Sequence, residues 1–287
     1  TTLTLSGTIT GSGTLAYQNS TTTMTTSGTL NANVLFLSVN GDLTVPNRAF
    51  GANVTLTTST GQNFTFTAGT LDIQGNLLLD DTAAVGLVTV LSANPTVNIT
   101  GNFSAVTGVG GTYAHTMGSG IWTVSGNFNL TEISLTHNSG KLIMNGTSKT
   151  LTSNGQTFYD LTLSGTITLA NATHTVAHNL DLTGSTITPG TSTVTMTSTS
   201  GTLTAAAAGS SLNNLTIDPS SAGTITLAAG GGELTISGLL TTATNDTFSI
   251  GSGRTVTVSY ATADGTAVAP GDYTAASGTL SFAATAS

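Results

Sequence analysis

The sequence predicts an all-β chain wound as a parallel β-solenoid, or β-helix, and three observations carry that expectation. First, Thr and Ser alternate with Leu, Ile, Val and Met, as in TTLTLSGTIT and TTTMTTSGTL, and Ser-Gly or Asn-Gly pairs interrupt the runs. Alternation at period two describes half-buried strands, and the glycine pairs describe tight turns between them. Second, pieces of the chain recur. The eight residues LTLSGTIT stand at Leu3 to Thr10 and again at Leu161 to Thr168. A shorter word, Asn or Asp followed by an apolar residue, any residue and usually another apolar one, begins at Asp42, Asn76, Asn102, Asn127, Asp160, Asn179 and Asn214. Its steps are 34, 26, 25, 33, 19 and 35 residues. Self-similarity at roughly 20 to 50 residues marks a stacked architecture. Third, no window of helical length places apolar residues three and four apart. Ala205 to Ala208 has the best helix propensity, but Gly201 and Gly209 bracket it, so it reads as a turn or a small-residue strand.

Composition narrows the function classes. Only 6% of the 287 residues are charged, against roughly 25% in soluble globular proteins, so the surface must be built from hydroxyls, amides and glycine. With 38% hydrophobic residues and a mean hydropathy of +0.24, the chain should fold rather than stay disordered. No apolar run reaches the length of a membrane helix, which predicts no membrane insertion. No basic and apolar leader opens the sequence, so any secretion signal would already have been removed. Zero cysteines exclude a disulfide scaffold and a thiolate metal site. Four Lys and Arg against twelve Asp and Glu, a net charge of -8, make nucleic acid and anionic membrane surfaces unsuitable partners.

Taken in order, residues 1 to 45 hold the alternating runs, and Val54 to Val90 hold TLTTSTGQNFTFTAGTLDIQGNLLLDD before a continuous apolar run, Val85 to Leu91. Such a run suits a strand covered on both faces. From Thr96 to Leu130 the repeat shortens, with NITGNFSA followed by WTVSGNFNL. A unit of that length with two or three short strands is about one solenoid turn, adding one strand to each of several parallel sheets. From Asn127 the unit lengthens into variations on one coil with loops of different size. The solenoid is assigned to residues 1–245, nine or ten coils that at roughly 4.8 Å each make a rod on the order of 45 Å long. The Asn that heads each word is expected to form an inward ladder, as stacked Asn side chains do in fibrils.

The pattern FxNLTxSGTxTL followed by xGNLxLxxGxL resembles the repeats of large secreted bacterial surface proteins of the filamentous-adhesin kind, over roughly residues 1 to 240. The resemblance implies a right-handed β-solenoid outside the cell, secreted or on the cell surface. At the C-terminus the texture changes. Tyr260-Ala261-Thr262-Ala263-Asp264-Gly265-Thr266-Ala267, then Gly271-Asp272-Tyr273, then Ser277-Gly278-Thr279-Leu280-Ser281-Phe282 look like the middle of a Calx-beta domain. That resemblance implies a small β-sandwich-like segment at residues 246–287. Some Calx-beta domains bind calcium, and by this resemblance Asp264 and Asp272 are the candidate ligands; no other cofactor is expected. The acidic segment that usually opens the family's domain is missing here.

Other chemistry is sparse. His174 and His178, four apart with Asn179 and Asp181 close by, would suggest a metal site on a helix. No third ligand stands at matching strand spacing, so they read as surface or loop histidines, like the isolated His115 and His137. Asp80-Asp81 is the adjacent acidic pair, but neighbours on a strand point to opposite faces and would act together only on a turn. Lys141, Lys149, Arg48 and Arg254 are scattered, so a glycan-cleaving site is not assembled and no enzymatic activity is expected. Trp122, Tyr113 and Tyr159 are the rings that would stack on sugars, though dispersed aromatics more often pack in cores. Asn53, Asn98 and Asn145 head Asn-x-Ser/Thr sequons at about the frequency this Thr-rich composition gives by chance.

The expected function is therefore a structural subunit of an extracellular or cell-surface fibre, a homopolymer assembled head to tail through exposed β-edges, with a glycan- or surface-binding adhesin stalk as the alternative. No charged residue precedes Asp42 and none follows Asp272, so neither end has the charges that blunt an edge strand. Leu3, Leu5 and Ile9 at one end, with Leu280 and Phe282 at the other, are the expected assembly residues.

Overall fold

A computed structural model describes residues 2–5, 7–18, 23–26, 28–38, 43–45, 48–58, 63–81, 89–107, 113–229 and 232–284. Among them the chain forms strands and turns without a helix, wound into a parallel β-solenoid of about ten turns. Each turn contributes three short strands, because Gly, Asn and Ser pairs break the alternating runs every few residues and let the chain change direction. The first ladder passes through Thr70–Ile73, Thr96–Ile99, Ile121–Val124, Lys141–Met144 and the front of Asp160–Leu169. It continues through the front of Leu180–Thr188, then Thr202–Thr204, Thr224–Leu227 and Thr247–Ile250. The second runs from Leu30–Ser38 through Val54–Thr58, Leu77–Asp81, Phe103–Thr107, Phe128–Asn129 and Lys149–Thr152 to the rear of Asp160–Leu169. The third carries Tyr113–Thr116 and Ile133–Thr136 and, further on, Thr157–Phe158, Thr173–Val176, Thr193–Met196, Asn214–Ile217 and Leu240–Thr242. The apolar run Val85 to Leu91 lies partly outside the described residues; its end forms Thr89–Ser92 in the third ladder.

Inward side chains stack in columns along the axis. Leu71, Val97, Trp122, Leu142, Leu161, Leu180, Leu203 and Leu227 are successive partners in one column, and all of them are buried. The strand alternation therefore sends Leu, Val and Phe inward and Thr, Ser and Asn outward, as the period of two requires. Ala205 and Ala206 are buried, and the chain turns at Ala207 and Ala208, in agreement with the bracketing glycines.

The asparagine ladder exists, but at the corners instead of the core. Asn53, Asn76, Asn102 and Asn127 are exposed or half-exposed. Asn53 Oδ1 accepts the Asn76 backbone N–H at 2.8 Å, Asn76 Oδ1 that of Asn102 at 2.8 Å, Asn102 Oδ1 that of Asn127 at 2.8 Å, and Asn127 Oδ1 that of Thr150 at 2.9 Å. A narrow apolar core has no partners for an amide column, whereas a corner, where the sheet ladder is interrupted, has amides in need of an acceptor. The same device recurs at the other corners, from Asp160 to Asn179 at 3.0 Å, Asn179 to Thr202 at 3.0 Å and Asn214 to Leu239 at 2.7 Å. Its placement explains the uneven steps of the repeated word. The steps of 26, 25 and 19 residues, from Asn76 to Asn102 to Asn127 and from Asp160 to Asn179, keep to one corner and are single turns. The steps of 33 and 35, from Asn127 to Asp160 and from Asn179 to Asn214, cover one turn plus two faces and move the word to a different corner. Asp42 lies outside the described residues.

Near its C-terminal end the ladder continues without a break across residue 245: Thr247–Ile250 and Thr255–Ala261 pair in parallel with earlier turns. Ser277–Ala283 then joins Thr255–Ala261 antiparallel, which makes this a mixed sheet. The C-terminal segment is thus a mixed sheet whose parallel part continues the solenoid ladder. Arg254, 3% exposed, ties the last turns together: its guanidinium donates to Ala228 O at 2.6 Å, Gly232 O at 2.7 Å and Ala205 O at 3.2 Å.

Two stability outcomes follow from the columns and corners. Leu180→Asp places an unpaired charge in the core and should cost several kcal/mol, on the order of 3 or more, while Thr195→Ser on the outward side should cost well under about 1 kcal/mol. Gly165, at φ 108°, sits where an added Cβ would run into the Gly146 carbonyl oxygen of the preceding turn, so Gly165→Ala should resemble the core substitution. Urea unfolding of the three variants checks this ranking.

Candidate functional site

The calcium candidates lie in one exposed loop between Thr255–Ala261 and Ser277–Ala283, and both are used to shape it. Asp264 Oδ1 accepts the Ala269 N–H at 2.9 Å and the Tyr273 hydroxyl at 2.8 Å, and Asp272 Oδ2 accepts the Val268 N–H at 3.0 Å. The bonds from Ala269 and Tyr273 hold the Asp264 carboxyl below the usual carboxylate range, the Ala269 amide contributing most. No group of three or more His, Cys, Asp or Glu that would hold a metal ion occurs among the described residues.

The expected assembly residues fall differently at the two ends. The backbone of Leu3 and Leu5 belongs to Thr2–Leu5, which pairs in parallel with Thr23–Thr26, while their side chains lie outside the described residues. Ile9 is partly buried against the core and paired with Leu30. Leu280 and Phe282 are 50% and 47% exposed. They stand opposite Val258 and Val256 on Ser277–Ala283, the edge strand of its sheet. Phe282 thus shares a face with Val256, which is buried in the solenoid core.

The histidines depart from the surface reading. His174 is buried, with Nδ1 at 2.8 Å from Ser153 Oγ and Nε2 at 2.9 Å from Ala170 O. His115 is buried against Trp122 and Phe103, ring centroids 4.7 and 5.4 Å away, with both ring nitrogens unpartnered. Strand alternation turned both inward, and the signal was their phase: His115 stands two residues from the buried Tyr113 and Met117, and His174 two from the buried Val176. His178 lies beyond the end of its strand, at a corner, so it does not meet His174. It pairs instead with Asp160, Nδ1 to Oδ1 at 2.8 Å. Its ring stacks on Tyr159 at 4.6 Å, and His137 covers the other side of Tyr159 at 5.5 Å. Trp122 and Tyr113 are core residues, bonded to Met117 O and Val106 O, and are closed to any ligand. Asp80 and Asp81 end the strand Leu77–Asp81, and the side chain of Asp81 lies outside the described residues.

Beside the ring stack the first ladder carries an outward groove of about 300 Å³, lined by Lys141, Asp160, Thr162, Asn179, Asp181 and Thr202 among others. These residues come from four successive turns: Lys141 pairs with Asp160, Thr162 with Asp181, and Asn179 bonds Thr202. Sequence reasoning missed the groove, because its members are up to 63 residues apart, from Lys141 to Thr204, and only the coil register gathers them. The steps between Lys141, Asp160, Asn179 and Thr202 were the available signal.

The Calx-beta domain family matches residues 248–287, a stretch that starts within Thr247–Ile250, inside the solenoid ladder, and runs through the mixed sheet. Compared with curated proteins and with solved structures, the chain finds no match.

The buried histidines set a pH dependence. Burial pushes His115 down to about 3 and lowers His174 as well, only in part offset by the Ala170 carbonyl. The unfolded chain takes up protons near pH 6.5, so stability is full above that pH; the His115 part falls as pH drops toward about 3, and His174 adds a loss in the same direction. Each such group contributes up to about 1.4 kcal/mol per pH unit in its window. Urea midpoints should therefore drop between pH 7 and pH 4, and His115→Phe should remove part of that drop.

Proposed function

We propose that the chain is a non-catalytic structural subunit of an extracellular or cell-surface fibre, joined head to tail to further copies through exposed β-edges. A β-solenoid that carries a Calx-beta match fits a surface or adhesin-like repeat protein. The observation that supports the fibre is the edge strand Ser277–Ala283, which continues a solenoid sheet, bears no charge and exposes Leu280 and Phe282. Unpaired backbone groups with an apolar row beside them favour another strand as partner. The uncharged strands Thr2–Leu5 and Ile9–Gln18 of a second copy are of matching character. A contact between two different ends does not close on itself, and so it generates a filament.

A second reading, an adhesin stalk that holds glycans, is favoured by the polar groove around Asp160 and Asp181.

Electron microscopy of the purified chain tests the first reading. The parent should form fibres, while Leu280→Lys with Phe282→Lys, and separately Thr8→Lys, should give single particles with an unchanged melting temperature. Equal fibres from all three proteins would overturn the proposed joint.

A further inference from the structure

We propose that the groove across Lys141, Asp160, Asn179 and Thr202 is a binding site for a neutral, linear oligosaccharide lying along the solenoid axis. This rests on the glycan-binding reading and is independent of polymerisation. The groove crosses four turns, so at roughly 4.8 Å per turn its length is about 14 Å. An elongated ligand with repeating polar groups suits such a site better than a compact one.

The donors and acceptors match sugar hydroxyls. The bonds of the Asp160 carboxylate to His178 Nδ1 and the Asn179 N–H both fall on Oδ1, and those of Asp181 to Thr183 also fall on Oδ1. Each carboxylate is thereby fixed in place and keeps Oδ2 for a hydroxyl pair. Pre-positioned polar groups lose little freedom on binding. Lys141 supplies a donor at one end and Thr202 a hydroxyl at the other. The His178 ring, held flat on Tyr159 with 18° between the planes, steadies the Asp160 carboxylate at the groove through Nδ1.

Other ligand classes fit less well. Two carboxylates against one ammonium disfavour an anionic glycan. A peptide would add a strand or insert apolar side chains, yet the floor is made of strands already paired on both sides, Asp160–Leu169 with Lys141–Met144 and Leu180–Thr188, and its side chains are mostly hydroxyls, an amide and charges.

Isothermal titration of the full chain with neutral β-linked hexose, pentose and N-acetylhexosamine oligosaccharides of increasing length tests the site, with oligogalacturonides and a random peptide pool alongside. Affinity should rise with length and level off once the oligosaccharide spans the groove. Thr162→Lys should weaken binding at least tenfold, and Asp181→Asn, which keeps the oxygen that accepts from Thr183, several-fold, both without loss of melting temperature or of fibres. If Thr162→Lys lowers the melting temperature, Asp181→Asn alone decides. Undiminished binding by the correctly folded variants would place glycan recognition elsewhere and overturn the site but not the reading. No binding of any oligosaccharide by the parent would overturn both. Preference for oligogalacturonides or for peptide would overturn the assignment of ligand class.

Discussion

Every turn of this chain must lie one strand spacing, roughly 4.8 Å, above the turn before it, and that single distance governs what each column of side chains can be. Phe103 and Phe128 are register partners, and their rings stack with centroids 4.8 Å apart and 21° between planes; the sheet spacing suits ring stacking along the axis. Around them Phe66, Trp122 and His115 fill the middle of the solenoid with tilted and edge-on contacts. A core only one side chain deep on each face leaves no space for an unpaired charge. His115 is kept neutral there, and His174 is satisfied by Ser153 and Ala170.

The same spacing makes the corners difficult. Backbone amides that leave one strand before entering the next have no sheet partner, and an unpaired amide is costly unless water or a side chain reaches it. Asn and Asp at the corner solve this by accepting the amide of the next turn, so one side chain joins two coils. Because any of the three corners can use the device, the word that encodes it is free to migrate from one corner to another. Tight approach works alongside it, as at Gly165, where the strand Asp160–Leu169 bends from the first ladder into the second against the Gly146 carbonyl.

With the inward positions committed to packing and the corners to coil joints, the outward columns are free to vary, and the proposed binding groove lies along them. Lys141, Thr162 and Asp181 occupy outward positions, while Asp160 and Asn179 beside them also hold corner amides. The edge strand Ser277–Ala283 is a different kind of free surface, with Leu280 and Phe282 on a face that elsewhere looks into the core. Low charge suits the strand edge, which needs no long-range electrostatic steering.

The sequence by itself determined the class of fold, since alternation at period two and recurrence at coil length leave a stack of short parallel strands as the arrangement that buries Leu161, Leu180 and their counterparts. It also determined that the Asn-headed words serve the stacking. Coil register was decided by tertiary structure alone. The identical octapeptides show why: Leu161 to Thr168 lie within one bent strand, whereas Leu3 to Thr10 are divided between Thr2–Leu5 and Ile9–Gln18. A short word of Thr, Leu and Gly fits a face or a corner equally well on local propensity, and the turns above and below choose between them. For the same reason the gathering of Lys141, Asp160 and Asn179 into one groove could not be read in advance. It depends on how many residues each neighbouring turn spends on its loops, a quantity that packing between turns sets.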